Sequence, residues 1–95
     1  MRLTKNQIDT LKKSIFEITP DCKVYLFGSR ADNHAKGGDI DILLESYYPF
    51  NFKDIFKIKI NFWNEHGEQK LDIIHFTPDD DTPFKKIAHS NAIEL

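Results

Sequence analysis

Apolar positions recur along this chain in two rhythms. The first is helical. Ile8, Leu11 and Ile15 fall on one face with Phe16 beside them, which predicts a helix over 5–17. Thr4 and Gln7 have capping-box spacing at its start. Pro20 ends it, because the residue before a proline disfavours helical geometry. The second rhythm belongs to strands. The apolar runs Val24-Tyr25-Leu26-Phe27 and Ile42-Leu43-Leu44 predict strands over 23–27 and 40–45. Between them, residues 29–33 suit a short helix, and Lys36-Gly37-Gly38 is a break.

Tyr47-Tyr48-Pro49 stops the second strand. A second long helix then opens at Asn51 or Phe52 and reaches about residue 64, with Phe52, Ile55, Phe56, Lys59, Phe62 and Trp63 on or near one face. Its middle, Lys57-Ile58-Lys59-Ile60, alternates and also suits a strand, but the length of the segment favours helix. Gly67 is a suitable stop. A third strand covers 70–76 and a loop covers 77–81. Thr82 then caps a last helix that has Pro83 in its first turn and carries Phe84, Ile87 and Ala88. Residues 92–95 form a short extension. The order of elements predicts an α/β (α+β) fold, a small sheet covered by about four helices. No repeat or linker divides the chain, so residues 1–95 read as one domain.

Composition narrows the class. Hydrophobic residues make up 40% with eight Phe, enough for a core without cross-links. Charged residues are 29% and the net charge is -2, which fits neither a disordered chain nor a general nucleic-acid binder. The one cysteine, Cys22, has no internal disulfide partner and reads as a packed residue. No apolar stretch approaches membrane-spanning length, and the first residues lack the apolar core of a signal peptide. These features predict a soluble, cytoplasmic protein with no membrane partner.

The candidate chemistry lies between the first two strands. Asp39 and Asp41 are two apart at the start of a strand, so both carboxylates project from one face. Two such charges repel, and a divalent cation relieves the repulsion. An isolated Asp-x-Asp is more often a solvated strand end. Gly28 and Ser29 change that, since glycine lets backbone approach a phosphate and Ser29 can open an anion-attracting helix. Asp72 lies in the apolar run of the third strand, where a carboxylate is costly to bury without compensation. If that strand borders the second, Asp72 completes a three-carboxylate cluster. The alternative is an Asp that faces water or pairs with a lysine.

Other polar residues carry less. His34, His66, His75 and His89 lack ligand spacing. Lys36 reads as a solvated loop lysine. Asp79-Asp80-Asp81 reads as a solvated loop favouring the positive start of the last helix. Phe52, Phe56, Phe62 and Trp63 are assigned to the core. Any of them left exposed, together with Tyr47 and Tyr48, would form an apolar patch inviting a partner.

Gly28-Ser29 followed after nine residues by Asp39-x-Asp41, with Asp72 on a later strand, resembles the DNA-polymerase-β-type nucleotidyltransferase superfamily. In its shortness the chain is similar to the minimal nucleotidyltransferase branch. The resemblance includes Phe27-Gly28-Ser29-Arg30-Ala31 and nearly the whole chain. It implies a mixed three-stranded sheet flanked by helices. It also implies two Mg²⁺ ions held by Asp39, Asp41 and Asp72, and ATP with its phosphates on Gly28 and Ser29. Arg30 would add charge there, or else tie down the loop. The implied reaction is attack of an acceptor hydroxyl on the α-phosphate, with Asp72 able to take the proton.

The larger relatives carry added domains that hold the acceptor, and only about twenty residues follow the third strand here. The acceptor is therefore expected on another molecule. Minimal members of this kind are often paired with a small helical HEPN-type protein. Some act as antitoxins and transfer AMP to a tyrosine of that RNase toxin. A protein adenylyltransferase antitoxin is the leading expectation. The alternatives are a small-molecule nucleotidyltransferase with a separate helical substrate-binding subunit, and a non-catalytic nucleotide-binding module that masks its partner.

Overall fold

A computed structural model describes residues 3–28 and 38–95. Helix α1 (Lys5–Ile18) begins at the Thr4–Gln7 capping box, in which each side chain bonds the other's backbone N–H. Strand β1 (Lys23–Phe27) follows, then β2 (Ile40–Glu45). Helix α2 (Phe52–His66) is helical throughout, including the alternating segment at 57–60. Its start is a second capping box, Asn51 with Asp54, which fixes Asn51 as the cap. Strand β3 (Leu71–Phe76), helix α3 (Pro83–Ser90) and strand β4 (Ile93–Glu94) complete the chain.

The sheet has the order β3-β2-β1-β4. It has four strands rather than the three expected, because the terminal extension pairs antiparallel with β1. Three of the expected helices lie among the described residues; the short one expected over 29–33 lies outside them. Strands β1 and β2 are antiparallel, while β2 and β3 are parallel and joined through α2.

Alternation divides the sheet into two faces. Val24, Leu26, Ile40, Ile42, Leu44 and Leu71 face α1 and α2, where Leu11, Ile15, Ile58 and Phe62 close the main core. Tyr25, Leu43, Ile74 and Phe76 belong to the other face, where Ala88 of α3 packs against them. One core assignment fails on the helices. Phe52 and Phe56 are exposed, because the buried stripe of α2 runs through Ile58 and Phe62. Phe84 and Ile87 also point outward, and α3 buries Lys85 and Ala88 instead. Thr82 sits at the N-cap of α3 without a side-chain cap bond. Asp80 instead fixes the turn that leads into the helix, its Oδ1 accepting from Thr82 N at 2.8 Å. Asp80 is accordingly held below the ordinary carboxylate range by its hydrogen bonds from Thr82.

Candidate active site

The end of β1 and the beginnings of β2 and β3 meet at one end of the sheet. Pairing puts Phe27 opposite Asp41, and Asp41 opposite Asp72. By alternation Asp41 and Asp72 project from the α3 face, the same face as Leu43 and Ile74. Asp39 precedes β2 by one residue and is half exposed. The three sequence-predicted carboxylates, Asp39, Asp41 and Asp72, therefore share one sheet end.

Gly28 follows β1 directly and has φ +73, a conformation that side chains rarely adopt. A Cβ at this position would overlap Asp41 Oδ2. The bare α-carbon is thus what lets backbone pass against the carboxylate. Ser29 and Arg30, the other expected phosphate-binding residues, lie outside the described residues, as do His34 and Lys36.

The electrostatics follow from this crowding. Burial first, then Asp72 and Asp39, push the Asp41 carboxyl above its ordinary value, with Lys70 opposing them. Lys70 is the residue that sequence reasoning passed over. Its Nζ lies 3.5 Å from Asp39 Oδ2 and 3.8 Å from Asp72 Oδ2. Asp39, then Asp72, raise its ammonium above the usual lysine value. The available signal was its place two residues before Asp72, at the entry to β3. The pairing of Asp72 with a lysine, the alternative reading of that residue, is thus found beside the cluster.

Among the described residues, no three His, Cys, Asp or Glu side chains converge closely enough to hold a metal ion as they stand. Their chemistry nevertheless fits one. The set is all carboxylate oxygen, the donor that hard divalent cations take. The space left by Gly28 keeps Asp41 Oδ2 clear of side-chain carbon. Asp39, Asp41 and Asp72 are the side chains suited to a divalent cation, and each can also accept a proton.

The remaining candidates are structural. Cys22 is buried and burial pushes its thiol up to about 11, so it is no nucleophile at neutral pH. His75 is bonded to Ser46 through Oγ at 3.1 Å and O at 2.9 Å. A polar groove of about 500 Å³ runs between α1 and α2, lined by Asp9, Lys13, Asn61 and Glu65 among others. It lies in the helical layer behind the sheet, apart from the carboxylates.

A mixed sheet with helical cover and acidic side chains at one sheet end is consistent with a nucleotidyltransferase fold. The nucleotidyltransferase domain model matches residues 8–95, and the chain belongs to that family. Domains of this family generally use a nucleoside triphosphate and a divalent metal. No curated protein matches the chain. Among the described residues, no helix is long and apolar enough to cross a membrane.

Proposed function

We propose that this chain is a Mg²⁺-dependent nucleotidyltransferase that moves AMP from ATP onto a separate protein. The acceptor we favour is a tyrosine of a small helical HEPN-type RNase, whose silencing would make the chain an antitoxin. One observation carries the reading: Asp41 and Asp72 are register partners on parallel strands, with Gly28 backbone against Asp41.

Asp39, Asp41 and Asp72 would hold the cations. When bound, Mg²⁺ would supply positive charge to the triphosphate and acidify the attacking hydroxyl. The acceptor oxygen bonds to the α-phosphorus, and the α–β phosphoanhydride bond breaks. Pyrophosphate leaves with the electron pair of that bond. Asp72, half exposed, is open to take the hydroxyl proton. The Gly28 turn, with Ser29 and Arg30, would orient the phosphates.

A protein acceptor is supported by the exposed aromatics. Phe52 is 82% exposed and Tyr47 71%, more apolar surface than solvent contact favours. One observation favours a second reading, the masking module. Lys70 already offsets part of the charge of Asp39 and Asp72, which lessens what a cation would relieve.

Incubation with α-labelled ATP, Mg²⁺ and the HEPN-type partner separates the readings. Label on the partner, lost in an Asp39→Asn, Asp41→Asn double variant, is the expected result. Neutralisation that survives in that variant without label would establish masking. Label only on an added small hydroxyl compound would replace the protein acceptor with a small molecule.

A further inference from the structure

Lys70 reaches toward the same oxygens that a cation would seek. Its ammonium lies within 4 Å of both Asp39 and Asp72 (3.5 Å and 3.8 Å). Lys70 immediately precedes β3 and lies two residues before Asp72, and its ammonium reaches the Asp72 carboxylate. The Lys70 carbonyl accepts from Ile40 N at 3.0 Å, which ties its backbone to the start of β2. Among the described residues, Lys70 alone forms ion pairs with these carboxylates.

We propose that Lys70 is an internal counter-ion of the metal-free chain that competes with the divalent cation for Asp39 and Asp72. The inference rests on the metal-site reading above. A single ammonium cannot draw all three carboxylates to one point, which accounts for their lack of convergence. The pair is also built to open. The Lys70 side chain is 65% exposed, and exposed pairs are weak. Its flexible four-carbon stem lets the charge swing into solvent without moving β3. The consequence is that cation affinity is held down until Lys70 yields.

The test is Mn²⁺ binding to the full chain without nucleotide, by calorimetric titration at low ionic strength. The Asp39→Asn, Asp41→Asn double variant defines binding at the site. Lys70→Gln should bind Mn²⁺ about fivefold more tightly than wild type, because one like charge a few ångströms away is gone. Added salt should shrink that difference. Lys70→Arg keeps the charge and should bind as wild type does. Lys70→Gln binding no tighter than wild type, where wild-type binding is lost in the double variant, overturns the competition and leaves the metal site standing. Binding by none of the chains, or binding indifferent to the double variant, overturns the metal site and the competition together.

Discussion

Gly28 leaves its α-carbon bare against the carboxylate of Asp41. The β1–β2 register brings them there, since Phe27 is paired with Asp41 and Gly28 is the next residue. Gly28→Ala must displace either the Asp41 side chain or the turn. Its φ of +73 adds backbone strain to the overlap. The variant should lose about 1–3 kcal/mol of stability, as strained positions do. Urea denaturation measures this, and Mn²⁺ titration should show weakened binding in the fraction that folds. Wild-type stability together with wild-type binding would show that the turn relaxes freely.

Asp41 gives the site a pH signature. Its folded pKa is raised, first by burial and then by Asp72 and Asp39. A raised carboxyl contributes stability that is full below the unfolded pKa and is lost as pH rises through the folded one. At pH 7 the ionised Asp41 therefore costs stability in the metal-free chain. Asp41→Asn should be at least as stable as wild type at pH 7 in EDTA, with the advantage gone below about pH 4. Activity should move the other way, falling about 100-fold or more, as when one electrostatic stabiliser is removed. Denaturation between pH 4 and 8 is the check. A wild type more stable than the variant at pH 7 would mean that Asp41 has a favourable partner.

The layered fold and the placing of Asp39, Asp41 and Asp72 at one sheet end were legible in the sequence because both rest on short periods. Alternation placed Asp39 with Asp41, and the parallel β2–β3 pairing then brought in Asp72. The β4 pairing was not legible, since a two-residue strand has no period to read. Part of the face of α2 was misread for a different reason. Apolar residues occur on both sides of this helix, so hydrophobicity alone did not select the buried stripe through Ile58 and Phe62. Lys70 was missed because its role depends on the neighbours that folding brings within 4 Å.

The most buried charge on α3 is Lys85. Its Nζ is 3.1 Å from Glu45 Oε2 and donates to the carbonyls of Thr77 at 2.8 Å and Pro78 at 3.1 Å. These bonds fasten the loop before α3 to the far end of β2. Lys85→Met fills the volume but strands Glu45 and two carbonyls. Breaking a buried pair from one side costs about 3–5 kcal/mol, and a loss of that order is expected in urea denaturation. Glu45→Gln keeps an acceptor for the ammonium and should cost less. Equal losses in the two variants would show that the carbonyls contribute little.

Helix α2 provides two aromatic tests, one of the core and one of the exposed side. Phe62 is fully buried against Leu11, Ile15 and the sheet. Phe62→Ala should cost about 3–5 kcal/mol, the usual result of emptying a core aromatic site. Phe52 and Phe56 instead stack on each other at 6.2 Å on the exposed side. Replacing both by Ser removes little buried surface and should change stability by no more than about 0.5 kcal/mol each. If this pair contacts the acceptor protein, the double Ser variant should keep Mn²⁺ affinity yet lose most label transfer to the partner. Undiminished transfer would remove Phe52 and Phe56 from the contact surface. A parallel fall in Mn²⁺ affinity would instead trace the loss to the site. Because the pair lies outside the core, a selective loss of transfer cannot be ascribed to unfolding.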